Sequence, residues 1–253
     1  MIAHRLMSAG QLVVVQLDSG QAAWCQPGRF VWKTPNVAVQ ARLIGPGGAA
    51  GGMLDRALAT AITAGRRRLA GRDAALPYFS AGVSSGLVAF AGEPAGEVRE
   101  LRLEGGRSWL VTRTALVAAE GSVGIGPAPA PATGAGERPR AAAPGALERL
   151  AGTGSAFVTG AGGLVELELA RYGGAVDVDP GRLVAVQEGV EVAPPRRRSL
   201  AGDELLAVLL GGGRPSLASL NGSGSVLLQS AALPSAPGKP PTHEQGGSDG
   251  IPG

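Results

Sequence analysis

The pentapeptide Gly82-Val-Ser-Ser-Gly86 matches the G-x-S-x-G pattern, in which a serine on a sharp turn attacks an acyl carbon. That chemistry needs a strand before the turn, a helix after it, and an acid and a histidine further along the chain. Here Leu87-Val-Ala-Phe90 continues as a strand, and the only later histidine, His243, lies in a Pro/Gly-rich stretch. The motif therefore lacks its catalytic context. His4 and His243 are the only histidines and lie near opposite ends of the chain, so a His-rich metal site is not expected. Glu166 and Glu168 are two apart on a strand and face the same side, where paired carboxylates can exchange protons or hold a cation. Ordinary alternation accounts for them as a solvated strand face. The glycine clusters at 45–52 and 211–213 lack the G-x-x-x-x-G-K-[ST] and G-x-G-x-x-G spacings of phosphate cradles. Cys25 is the only cysteine, which rules out a disulfide within the chain and suits a reducing compartment. Beside Trp24 in an apolar run, it reads as a packing residue. No catalytic residue, cofactor or metal is expected.

Two arginine triplets remain, Arg66, Arg67, Arg68 and Arg196, Arg197, Arg198. Repeated around an oligomer, such rows would contact phosphates of nucleic acid or the headgroups of an anionic membrane. Single-stranded nucleic acid also needs exposed aromatics for stacking. The chain has nine aromatics, and Trp24, Trp32 and Trp109 all lie in apolar strand patterns that read as core. Nucleic acid is the less favoured partner. The formal net charge of +3 comes almost wholly from arginine, since Lys33 and Lys239 are the only lysines. Solvated surface positions explain most of these charges.

The elements that must position these groups are short strands. Gly supplies 42 and Pro 19 of 253 residues, so turns are frequent and long helices scarce. Apolar runs such as Leu12-Val-Val-Val15 are brief and β-branched. The longest uncharged spans, 74–92 and 215–238, are too polar to cross a bilayer, and the N-terminus carries no convincing signal peptide. The expectation is a soluble, cytoplasmic chain.

One pattern occurs three times. Leu17-Asp-Ser-Gly precedes Cys25-Gln-Pro-Gly-Arg-Phe-Val31; Leu103-Glu-Gly-Gly precedes Thr112-Arg-Thr-Ala-Leu-Val117; Leu169 precedes Gly173-Gly174 and then Val178-Asp-Pro-Gly-Arg-Leu-Val184. A closing strand follows each, Gly86-Leu-Val-Ala-Phe, Gly154-Ser-Ala-Phe-Val and Gly224-Ser-Val-Leu-Leu. The organisation predicted is 9–92, 93–158 and 159–230 as three β-repeats, with 231–253 a disordered tail. The first copy is longer by a segment in which Leu54, Leu58 and Ile62 share one helical face. This predicts a short inserted helix at about 52–69, the only substantial one, with the first arginine triplet near its C-terminal end. A Pro/Ala/Gly-rich stretch, 127–144, and 193–198 read as surface loops. The fold class expected is all-β: three tandem units of β-sandwich or short double-stranded β-helix type. A row of three such units has two open ends, which oligomerisation into a ring would satisfy.

Stretches of the chain resemble the mitochondrial-biogenesis family named for altered inheritance of mitochondria, member twenty-four. They are Gln26-Pro-Gly-Arg-Phe-Val-Trp-Lys-Thr-Pro-Asn-Val37, Gly51-Gly-Met-Leu-Asp-Arg-Ala-Leu58, 163–192 and Asn221-Gly-Ser-Gly-Ser-Val-Leu-Leu-Gln-Ser230. The resemblance covers roughly 9–230. It implies three units similar to the subunit of the tryptophan RNA-binding attenuator protein, and homotrimers in which nine units form a ring. It carries no catalytic residue to transfer. The function expected is that of a non-enzymatic oligomeric scaffold or binding protein with an unidentified protein partner. The alternatives are a factor peripheral to an anionic membrane and an RNA-binding ring.

Overall fold

Short runs of Val, Leu, Ala and Phe, broken every few residues by Gly, Pro, Asp or Asn, form extended segments that gain backbone partners only by lying side by side. The computed structural model describes residues 2–7, 10–46, 48–49, 75–92, 96–128, 147–193 and 217–231. Among them the only helical segments are two 3-10 turns, Leu169–Tyr172 and Pro180–Arg182. The expected helix at 52–69, its rival segment 203–210, residues 129–144 and 194–198 of the two loops and the tail from 232 lie outside the described residues.

The chain opens with β1 (Ala3–Met7). Six strands follow: β2 (Leu12–Leu17), β3 (Ala22–Cys25), β4 (Phe30–Lys33), β5 (Val37–Arg42), β8 (Leu76–Ala81) and β9 (Gly86–Ala91), with the two-residue strands β6 (Ile44–Gly45) and β7 (Gly48–Ala49) between the fourth and fifth. The next six are β10 (Gly96–Leu103), β11 (Trp109–Thr112), β12 (Leu116–Glu120), β13 (Val123–Pro127), β14 (Leu147–Gly152) and β15 (Gly154–Ala161). The last six are β16 (Leu164–Glu168), β17 (Ala175–Val178), β18 (Leu183–Gln187), β19 (Val190–Ala193), β20 (Ala218–Gly222) and β21 (Ser225–Gln229).

Within each six, the first strand pairs antiparallel with the sixth: β2 with β9, β10 with β15, β16 with β21. The second pairs with the fifth: β3 with β8, β11 with β14, β17 with β20. The sixth also takes the third, and the fifth the fourth. Each third strand carries a bulge at one place, between Phe30 and Trp32, Leu116 and Ala118, and Leu183 and Ala185. Successive sixes are joined because the third strand of one pairs with the second strand of the six before it, β12 with β3 and β18 with β11.

Four main sheets result, ordered β1-β2-β9-β4, β10-β15-β12-β3-β8-β5, β13-β14-β11-β18-β21-β16 and β17-β20-β19. Three apolar cores lie between them. Val13, Val15, Phe90 and Phe79 pack the first sheet on the second; Leu103, Leu116, Leu150 and Leu227 fill the space between second and third; Leu169, Val186, Leu220 and Val226 join third and fourth. The two inner sheets are covered on both faces. Ala23 and Cys25 therefore face one core while Trp24 between them faces the next, and β12 and β15 are buried along their whole length. Such strands read as unbroken apolar runs rather than alternating ones.

Polar clamps tie the sixes together at the surface. Glu97 on β10 accepts from the Leu164 amide at 2.8 Å and pairs with Arg99 at 2.9 Å, while Arg99 donates to the Leu164 carbonyl at 2.8 Å. Burial pushes the Glu97 carboxyl up, but the Leu164 N–H and the Arg99 guanidinium outweigh it and hold the group below its ordinary value. A carboxylate held low contributes stability above its unfolded pKa, about 4.3, and that stability is lost as pH falls through the lower folded value. Glu97→Gln should therefore lower the urea midpoint at pH 7, with the gap to wild type shrinking toward pH 3. An equal gap at both pH values would contradict the clamp.

Candidate functional site

The G-x-S-x-G segment forms the tip of the hairpin between β8 and β9. Residues 82–85 are exposed and Gly86, the first residue of β9, is buried. The Asn36 side-chain amide donates to the Ser85 carbonyl at 2.7 Å and to Ser84 Oγ at 3.1 Å. Strand β9 follows Ser84, where the motif requires a helix. His4 stands on β1, edge-on to Phe157 at 5.0 Å and 3.7 Å from the Glu100 carboxylate. His243 lies outside the described residues. Among the described residues no histidine stands at the Ser84 hydroxyl to act as its base.

Gly86 is instead one member of a recurring contact. Thr34, just after β4, accepts from the Leu87 amide at 3.0 Å. Glu120, at the end of β12, accepts from the Ser155 amide at 2.8 Å. Gln187, at the end of β18, accepts from the Ser225 amide at 3.2 Å. Each donor follows a glycine: Gly86, Gly154 or Gly224. A methyl on Gly86 would run into Val37 and stand 2.8 Å from Thr34 Oγ1; on Gly154 it would stand 2.8 Å from the Glu120 carboxylate. Gly154 also has a φ of +135°, which disfavours any side chain. The glycine leaves room for the polar side chain that caps the neighbouring strand. Glu120 holds the Ile2 amide as well, at 2.9 Å, which anchors the start of the chain.

Cys25 is fully buried, and burial pushes its thiol up to about 12, Arg29 opposing only in part. At neutral pH it is a protonated packing residue. Glu166 and Glu168 are both exposed, and Glu168 pairs with Arg171 at 2.7 Å, as expected of a solvated strand face. Both line an open groove between β10 and the β16–β21 edge, with Arg99, Arg102 and Glu188. Several of its charges are held in ion pairs. Arg102 pairs with Glu100 at 3.2 Å. Glu188 accepts from Ser108 at 2.5 Å and pairs with Arg149 at 3.1 Å, and these partners hold its carboxyl below the ordinary range. Among the described residues no group of three or more His, Cys, Asp or Glu is placed to hold a metal ion, and no helix is long and apolar enough to cross a membrane. Arg66, Arg67, Arg68, Arg196, Arg197 and Arg198 lie outside the described residues.

One residue departs from expectation. Trp24 and Trp109 are core residues, Trp24 donating from Nε1 to the Val123 carbonyl at 2.8 Å. Trp32 is not: it is 39% exposed, beside Phe30 at 43% and Val31 at 47%. The cause is position. β4 is the outermost strand of its sheet, whereas β12 and β18 have a neighbour on both sides. The signal in the sequence is the aromatic itself, since Trp32 stands where the matching strands have Ala118 and Ala185.

These features define a layered all-β protein of short antiparallel strands whose exposed apolar chemistry sits at a sheet edge. The chain belongs to the mitochondrial biogenesis AIM24 family, whose sequence pattern it matches over residues 5–231. It is also similar in fold to the crystal structure of protein SPYM3_0169 from Streptococcus pyogenes. That protein is 20% identical, with 92% of this chain and 94% of that one covered at a TM-score of 0.64. No curated protein matches the chain.

If Gly86 serves the strand contact and Ser84 is a turn residue, substitutions should separate them. Gly86→Ala should destabilise by about 1–3 kcal/mol through overpacking, while Ser84→Ala should stay within about 0.5 kcal/mol of wild type. Denaturant melts check both. Covalent labelling of Ser84 by a serine-hydrolase probe would contradict the assignment.

Proposed function

We propose that the protein is a non-enzymatic oligomeric scaffold or binding protein, built from three tandem β-units and assembled as a homotrimeric ring. It would present its loops in several copies, so that weak contacts with a protein partner gain avidity. The reading rests on one observation: among the described residues the two end sheets have fewer strands than the inner two. The inner sheets each have six strands, three from one unit and three from the next. The last sheet, β17-β20-β19, repeats one half of that order, and β4-β9-β2 in the first sheet repeats the other. A row of units that leaves half a sheet at each end is completed by another copy of itself. The number three, and nine units like the attenuator-protein subunit, are what the family resemblance implies.

A second reading has the ring in the cytoplasm at the periphery of an anionic membrane, held by the arginines of 66–68 and 196–198. The excess of basic residues favours it, with a net charge of +3 and a pI near 9.6. Light scattering at micromolar concentration should give a mass near three times the 25.2 kDa chain. A monomer under those conditions would overturn the ring. Flotation on phosphatidylserine vesicles at low but not high salt would support the second reading, and no flotation at either would remove it.

A further inference from the structure

The N-terminal strand occupies a place that occurs again one six later. β1 lies antiparallel on β2, with Ala3 opposite Gln16 and Met7 opposite Leu12. Its other side meets the second six. The Ile2 amide donates to Glu120 Oε1 at 2.9 Å, the His4 ring stands edge-on to Phe157 at 5.0 Å, and His4 Nε2 is 3.7 Å from the Glu100 carboxylate. β1 thus lies between β2 and β10, beyond the point where the Val98 amide donates to the Gly10 carbonyl.

The junction of the second and third sixes repeats this setting. The Glu97 amide donates to the Gly162 carbonyl and the Leu164 amide to the Glu97 carboxylate, which brings the starts of β10 and β16 together. Beyond them lies the open groove. With Leu103 aligned on Leu169, Glu100 aligns with Glu166; with Gly154 on Gly224, Phe157 aligns with Leu227; and Glu120 and Gln187 are matching caps. The three side chains that hold β1 therefore have counterparts in Glu166, Leu227 and Gln187, and all three line the groove. Glu120 Oε1 accepts two amides, those of Ser155 and Ile2. Gln187 Oε1 accepts the Ser225 amide at 3.2 Å and, as a carbonyl oxygen, has a second lone pair. Apart from an isolated bridge between Gly96 and Gly162, no described strand pairs with the outer edge of β10, the counterpart of β2.

We propose that this groove receives an extended basic segment of a partner protein, which adds to β10 as β1 adds to β2. In that register the residue matching Ala3 lies opposite Arg102, the one matching His4 opposite Leu101, and the one matching Arg5 opposite Glu100. The side chain in the place of His4 stands by Leu227 and Glu166, and the amide in the place of Ile2 reaches Gln187. Backbone pairing to an open sheet edge supplies affinity, and pockets for alternate side chains supply selectivity. Five glutamates against three arginines line the groove, so it favours a basic strand over an acidic one. Glu166 is exposed and in no ion pair among the described residues. β1 itself, with His4 and Arg5 in succession, has the chemistry required. The proposal rests on the binding-protein reading above, whose partner it seats.

A peptide of the sequence Ile2–Met7, acetylated and carrying a C-terminal fluorescein, is the probe. Its anisotropy should rise on binding the full chain, and Glu166→Lys should weaken that binding about tenfold. A second peptide with glutamate in place of the histidine and the arginine leaves the protein unchanged and should bind about tenfold more weakly too. No binding, or binding indifferent to both charge reversals, overturns the site. A third peptide carries lysine in place of the histidine and is joined to carboxylates with a carbodiimide. A cross-link at Glu166 supports the groove. A cross-link at Glu100 without one at Glu166 shows that the peptide has displaced β1, and overturns it. Light scattering on the same samples separates the two claims: a three-chain mass without peptide binding defeats the groove alone, and a monomer that binds the peptide at Glu166 keeps the groove and defeats the ring.

Discussion

A β-strand carries hydrogen-bonding groups along both edges, and burying such an edge without a partner is costly. That constraint governs this chain. Each six-stranded sheet is assembled from three strands of one six and three of the next, joined where β3 meets β12 and β11 meets β18. A single six would leave its second and third strands without the neighbours that cover them. The apolar cores obey the same logic, because each fills the space between two sheets and at least one of those two is built from two sixes. Backbone pairing and side-chain burial therefore fail or succeed together at each junction.

The glycine–cap contact is the local device that keeps this geometry in register. Thr34, Glu120 and Gln187 differ in chemistry, yet each stands at or just past the end of the third strand of its six and takes the amide that follows a tight glycine. An acceptor, not a charge, is what the position requires. The Ser155 and Ile2 amides both donate to Glu120 Oε1, which gives that buried oxygen its hydrogen-bond partners. The resemblance of Gly82–Gly86 to a nucleophile motif arises because this structural glycine happens to follow a short turn rich in serine.

Much of the architecture is legible in residue order. Leu17, Leu103 and Leu169, aligned from the sequence alone, are all fully buried; Gly86 and Gly154 open their strands opposite the first two, and Gly224, just before β21, accepts from the Leu169 amide. The all-β class follows from short β-branched runs between glycine turns. The exposure of Trp32 was not legible from its apolar neighbours, because pattern reports how apolar a strand is and not how many neighbours it has. Only alignment against β12 and β18 shows that an aromatic stands in place of alanine. The clamp of Glu97 and Arg99 onto Leu164 was also hidden, since it joins residues 67 apart whose proximity depends on the third strands finding the second. The arginine triplets remain sequence features, outside the described residues.

The proposed ring makes β4 and β17 interior strands of a shared sheet, completed where copies of the chain meet. Amide hydrogen exchange on the assembled protein measures this directly, because a strand paired on both edges protects amides that a border strand leaves open to water. The account predicts that peptides covering 30–33 and 175–178 exchange as slowly as those covering 116–120 and 183–187. Rapid exchange at β4 and β17, alongside protected β12 and β18, would contradict it.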